Sequence, residues 1–196
     1  MQELIRDYIL KSIKLKEEVV RVLLTQIEKV AILFINTIKS KRTIYFFGNG
    51  GSAADAEHFA TELVGRLFKF NHPPASAIAL TTNTALLTAI SNDMGFENIF
   101  SRQLEALARP GDLAMGITTS GNSLDVLKGL IKARDLGVQT VALTGGNGGE
   151  VIKIATTSIV VPSYFTPHIQ EVHIMIGHIL CEMVERSVFG KRGDEF

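Results

Sequence analysis

From about Gln2 to Lys39 apolar residues recur every three to four positions, and Val20, Leu23, Leu24, Ile27, Val30, Ala31 and Phe34 fall on one stripe. This spacing predicts one long amino-terminal helix or two shorter ones. Residues 30–35 are apolar all round. A helix on the outside of a monomer could not carry such a segment without exposing a greasy patch, so it is covered either by another subunit or by the chain's own core.

Beyond Arg42 the period changes. Short runs rich in β-branched and aromatic residues at 43–47, 77–80, 112–117, 139–143 and 158–161 read as strands. Helical stretches at 53–66, 84–91, 99–108 and 124–136 separate them. Such alternation predicts βαβ units and a five-stranded parallel sheet with helices on both faces, a three-layer α/β sandwich. A last helix, 167–189, opens with Pro167 in its first turn and stops at Gly190, as helix-end preferences require. Residues 191–196 are expected to fray. No repeat, low-complexity stretch or linker interrupts the pattern. A chain of 196 residues supports one substantial core, so a single domain over 1–196 is expected, with a helical oligomerisation segment at 1–40 and an α/β core at 41–190.

Charge narrows the partners. Twenty Lys and Arg balance twenty Asp and Glu, leaving no global field for nucleic acid or an acidic membrane surface. Any bound anion must therefore be held locally. The single cysteine, Cys181, sits in an apolar helical stretch, where it reads as a buried core thiol in a reducing compartment. The opening MQELIRDYILKSIKLKEE is charged throughout and does not read as a secretion signal. No apolar run reaches the roughly 20 residues a membrane span needs, so a cytoplasmic protein is expected.

Open parallel sheets bind ligands at the carboxyl ends of their strands, which directs attention to the loops after the first and third strands. The first is Gly48-Asn49-Gly50-Gly51-Ser52. Its glycines let backbone approach a ligand and Ser52 can cap the helix or donate a hydroxyl, but the spacing is not the dinucleotide fingerprint and the P-loop lysine is missing. The second, Thr118-Thr119-Ser120-Gly121-Asn122-Ser123, sets four hydroxyls and several backbone N–H groups at a helix amino end. A phosphate dianion can be held there without a cation. The competing reading is an ordinary capping turn. A third segment, Gly145-Gly146-Asn147-Gly148-Gly149, lacks hydroxyls and reads as a flexible turn.

Further residues bear on chemistry. His58 and Glu62 are one helical turn apart, either aimed at a shared point near the first loop or forming a surface ion pair. Gln170 and His178 are separated by roughly 12 Å along a regular helix, too far for easy chelation by one helix. Either the chain near Gln170 is irregular or another subunit supplies one of them. His72 and His173 read as ordinary satisfied histidines.

Taken together, GNGGSAADAEHFATELVGR at 48–66, TAISNDMGFENIFSRQLEAL at 88–107, TTSGNS at 118–123 and HIQEVHIMIGHILCEMVE at 168–185 resemble the sedoheptulose 7-phosphate isomerases, also called phosphoheptose isomerases, of the sugar isomerase (SIS) superfamily. The resemblance covers nearly the whole chain in order. It implies a SIS-type, flavodoxin-like fold, a homotetramer, and interconversion of sedoheptulose 7-phosphate and D-glycero-D-manno-heptose 7-phosphate for bacterial surface heptose. It further implies zinc on His58, Glu62, Gln170 and His178, with Glu62 and His178 as base and acid. The substrate contacts it implies are Asn49, Gly50, Gly51, Ser52, Glu62, Asn92, Asp93, Thr118, Thr119, Ser120, Ser123 and Gln170. Thr118 replaces the usual serine and keeps its hydroxyl. Asn83, Phe165 and His168 depart from the family's aspartate, aspartate and arginine. Relatives that only bind, as sugar-phosphate or replication-initiator modules, lack the glutamate and the late histidine that this chain keeps at Glu62 and His178.

Overall fold

The computed structural model describes residues 1–65, 67 and 73–190. The end of the predicted helix at Arg66, the histidine at 72 and the tail 191–196 lie outside the described residues. The amino-terminal stretch forms two helices, α1 (Gln2–Val22) and α2 (Leu24–Lys39), meeting at Leu23. Then follow β1 (Ile44–Gly48), α3 (Gly51–Val64), β2 (Ala77–Ala79), α4 (Thr84–Met94), α5 (Ile99–Leu107), β3 (Leu113–Thr118), α6 (Leu124–Asp135), β4 (Gln139–Gly145), β5 (Thr157–Val161) and α7 (Thr166–Val184). A π-helical turn, Glu185–Phe189, continues α7 to Gly190.

All neighbouring strands pair in parallel, in the order β2-β1-β3-β4-β5. Both sheet faces are covered, which is why β1 and β3 read as continuous apolar runs and are buried along their whole length. Alternate side chains divide between two cores. Ile44, Phe46, Leu113, Met115 and Ile117 pack with residues of α2, α3 and α7. Tyr45, Phe47 and Ala114 face the other way and pack with Ile90, Phe100, Leu104, Val126 and Leu130 of α4, α5 and α6. The three-layer α/β sandwich is therefore the observed fold.

The break at Leu23 changes the expected stripe. Leu23, Ile27, Val30, Ala31 and Phe34 are buried, whereas Val20 and Leu24 are 58% and 59% exposed. Val19, one position earlier, takes the inward place with 2% exposure. Within 30–35, Val30, Ala31 and Phe34 are buried and Leu33 and Ile35 pack against the core, leaving Ile32 half exposed. The chain's own core thus covers most of that segment.

Candidate functional site

In the order 2-1-3-4-5 the direction of winding reverses between β1 and β3, and the crevice at their carboxyl ends is where such sheets hold ligands. Both sequence-predicted loops lie there. Gly50 starts α3 with φ +55°, a conformation L side chains resist, so the loop turns sharply into the helix. Ser52 is buried in the first turn of α3, but no side chain caps this helix, so Ser52 does not take the capping role open to it from sequence. Asn49 Nδ2 donates to Asp125 Oδ1 at 3.0 Å, tying the β1 loop to the first turn of α6.

In the β3 loop, Thr118 and Ser123 share a hydroxyl–hydroxyl bond of 3.1 Å, and Ser120 Oγ accepts from the Asn122 N–H at 3.2 Å. Ser123 occupies the cap position of α6 without bonding its N–H groups through its side chain. The capping-turn reading therefore does not describe this loop.

The Gly145–Gly149 segment, expected to be a flexible turn, is packed against the β3 loop. A side chain on Gly121 would collide with the Gly148 carbonyl, and one on Gly149 with Ser120. The Val151 N–H donates to the Gly121 carbonyl at 3.0 Å. Between the two loops lies a cavity of about 260 Å³, lined by Thr119, Ser120 and Asn122 and by Gly145, Gly146, Asn147, Tyr164, Thr166 and Ile169. Of the last six, Gly145, Gly146 and Asn147 read from sequence only as part of a flexible turn, and Tyr164, Thr166 and Ile169 carry no expectation as lining residues. Their signal was positional, a glycine run at the carboxyl end of the strand beside β3. In the divergent 165–168 turn, His168 is 5% exposed and packs edge-on against Tyr8 of α1 and against Phe165.

The second group of residues depends on close helix packing. Gln170 meets Gly51, and Gly177 meets Phe59 so closely that a side chain on Gly177 would overlap the phenyl ring. Because early residues meet early and late meet late, α3 and α7 run side by side in the same direction. This brings His178 Nε2 to 2.8 Å from His58 Nε2, which also lies 3.3 Å from Glu62 Oε1. His58 stands seven residues past Gly51, roughly 10 Å along α3 from the loops. Asp55, one turn before His58, is buried, and Oδ2 has no hydrogen-bond partner. Burial pushes its carboxyl up to about 6, with His58 pulling the other way.

The ligand set implied by the resemblance is thus partly assembled. His58, Glu62 and His178 each offer one donor atom, and these atoms lie within 4.8 Å of one another. Two imidazole nitrogens and a carboxylate oxygen are the donors that zinc accepts in catalytic sites with an open position, so the residues fit the metal. Gln170 is placed at the Gly51 end. Helix α7 is regular through Gln170, which removes an irregular start as the explanation of its spacing from His178. Since one chain provides all three clustered residues, no second subunit is needed to bring His178 to Glu62. Asn92 and Asp93 end α4, where Asn92 Nδ2 donates to Asp93 Oδ1 at 2.8 Å, and neither lines the cavity.

His173 is fully buried with Nε2 against the Thr144 carbonyl at 3.2 Å, and burial lowers its pKa to about 4. It is a core histidine as expected but only half satisfied, because its Nδ1 is buried without a hydrogen-bond partner. Burial, then the charges of Glu62 and Glu185, raise the Cys181 thiol far above its ordinary range, leaving it inert.

The SIS domain family matches residues 7–145. The phosphoheptose isomerase of Aquifex aeolicus is 53% identical over 188 residues, covering 96% of this chain and 98% of that protein. Among solved structures, phosphoheptose isomerase from Neisseria gonorrhoeae superposes with TM-score 0.89 at 38% identity, covering 94% of this chain and 98% of that one. The enzyme from Francisella tularensis gives 0.91 at 34% identity with the same coverage. With a continuous parallel sheet of matching fold, both loops in place and His58, Glu62 and His178 drawn to one point, the chain belongs to the phosphoheptose isomerase family of SIS-domain proteins.

Proposed function

We propose that this chain interconverts sedoheptulose 7-phosphate and D-glycero-D-manno-heptose 7-phosphate, supplying heptose for bacterial surface polysaccharide. The observation that carries the reading is the meeting of Glu62 and His178 in one chain beneath two hydroxyl- and glycine-rich loops. Moving a carbonyl between C1 and C2 needs a base for a carbon-bound proton, a relay for a hydroxyl proton, and groups that favour the enediolate. Glu62 takes the proton from C1 of the ketose and returns it to C2. His178 carries the hydroxyl proton between the two oxygens. Thr119, Ser120 and Ser123, with the N–H groups at the start of α6, hold the phosphate, and Asn49 through Ser52 approach the sugar. Gln170, beside Gly51, faces the same loop, and Asn92 and Asp93 would be further contacts to the sugar.

His58, Glu62 and His178, with Gln170 or substrate completing the set, would hold zinc. When bound it supplies a Lewis acid for the carbonyl and hydroxyl oxygens. A homotetramer suits the exposed apolar side chains of α1, Leu4, Ile5, Ile9, Leu10 and Ile13. A groove of about 490 Å³ between α2 and α7, lined by Leu24, Ile32, Ile35, Ile179 and Met183, adds to that surface. The chain acts as one domain in the cytoplasm. No helix among the described residues is long and apolar enough to cross a membrane.

Incubation with sedoheptulose 7-phosphate, followed by NMR, should show the aldose appearing. Glu62→Gln should bind the sugar and keep the fold while losing nearly all turnover, because an amide cannot accept the proton. Turnover within a few-fold of wild type would remove Glu62 from the role of base. A binding-only module would convert no sugar in either form.

A further inference from the structure

We propose that Asp125 is a positioning residue: its carboxylate holds the Nδ2 end of the Asn49 amide and so presents the Oδ1 end to the sugar. Asn49 then accepts a hydrogen bond from a sugar hydroxyl. This role rests on the reading that the β1 loop approaches the sugar, but not on which residues carry the protons.

Three observations carry it. First, one hydrogen bond joins the two ligand loops. Asn49 directly follows β1, and Asp125 stands in the first turn of α6, just past the β3 loop. Asn49 Nδ2 donates to Asp125 Oδ1 at 3.0 Å. A carboxylate offers acceptors only, so the amide cannot turn its oxygen toward Asp125. A neutral amide at position 125 would leave both orientations of Asn49 open. Second, the far end of Asn49 is available. The residue is half buried, and its Oδ1 has no hydrogen-bond partner among the described residues and is not enclosed, so it reaches solvent. Third, Asp125 stands where a negative charge is unwelcome. It is 4% exposed, and its Oδ2 is buried without a partner. Burying a carboxylate with an unmet oxygen is costly, and two residues from Ser123 it also opposes a phosphate held at that loop. An acidic residue in a first turn favours the helix dipole, but no N–H of α6 bonds to this one. Among the described residues its side chain has a single hydrogen bond, the one from Asn49.

Kinetics with sedoheptulose 7-phosphate separate this role from a merely structural one. Asp125→Asn, nearly the same size, removes a negative charge beside the phosphate loop, so KM would fall if the carboxylate did nothing for the sugar. In the positioning role KM should instead rise about fivefold to tenfold, with kcat within about twofold, because Asn49 is no longer compelled to face one way. In an Asn49→Ala background the same substitution should no longer raise KM, since Asp125 acts only through Asn49. An unchanged or lower KM in Asp125→Asn overturns the proposal, and so does a rise of equal size in both backgrounds. Should the variants not fold, NMR of wild-type protein carrying isotope-labelled asparagine decides. A side-chain N–H of Asn49 should exchange with water more slowly than those of exposed asparagines, and exchange as fast as theirs overturns the proposal. Wild-type protein that shows this protection yet converts no heptose phosphate refutes the isomerase reading, not the hold of Asp125 on Asn49.

Discussion

Burial holds the Asp55 carboxyl at about 6 against an ordinary 3.8, and the His173 imidazole at about 4 against 6.5. The folded chain therefore binds the Asp55 proton more tightly than the unfolded chain does. Its cost to stability is fully present above about pH 6 and disappears as pH falls below 3.8. His173 has the opposite sense: its contribution is intact above pH 6.5 and is lost as pH falls toward 4. The two effects have opposite sign over the same pH range, so they largely offset one another in the wild type. Urea melts of Asp55→Asn should show higher stability than wild type at pH 7.5 and no advantage by pH 4. His173→Gln should lose less stability than wild type over the same acid range. Equal pH profiles for all three proteins would refute both assignments. In the loops, replacing Thr119 and Ser120 together by alanine should raise KM far more than it lowers stability. Each lost hydrogen bond to a charged phosphate costs about 1.5–3 kcal/mol, and an unchanged KM would place the phosphate elsewhere.

Elements were legible from period, and contacts between them were not. The change from helical to strand spacing after Arg42 located all five strands within two residues of their observed ends, because a parallel sheet covered on both faces leaves long apolar runs. His58 and Glu62 could be paired on one helix face from their spacing alone. That His178 joins them depends on Gly177, which lets α7 lie against Phe59, and no spacing within α7 reveals a contact with α3. The Gly145 segment is silent in sequence for a related reason: it packs through backbone and carries no hydroxyls, the only chemical signal such a loop offers. Gly177→Ala tests the packing. The added methyl overlaps Phe59, so α7 must move, with a loss of about 1–3 kcal/mol expected. Turnover should fall much further than stability, since the His58–His178 contact opens. Full activity in this variant would show that the helices tolerate separation.

At the scale of the whole molecule, assembly and catalysis separate. His58, Glu62 and His178 meet within one chain, so mixing Glu62→Gln with His178→Ala through unfolding and reassembly should restore no activity. Every site in the mixture would carry one lesion. Recovered turnover would mean that chains exchange these groups. Light scattering at working concentration should nevertheless show a tetramer, with α1 and the α2–α7 groove covered.

The parallel course of α3 and α7 has one more effect. It fixes a span between an anchoring point and a reacting point, so the pair of helices acts as a ruler. With its phosphate at the β3 loop, a sugar must reach past the Gly51 end of α3 to His58, which lies roughly 10 Å further along that helix. A seven-carbon chain can present its carbonyl there. A five-carbon phosphosugar would grip the loops yet stop short, so it should compete with the heptose phosphate while being converted far more slowly. Pentose 5-phosphate turned over as readily as the heptose would show that length is not measured in this way.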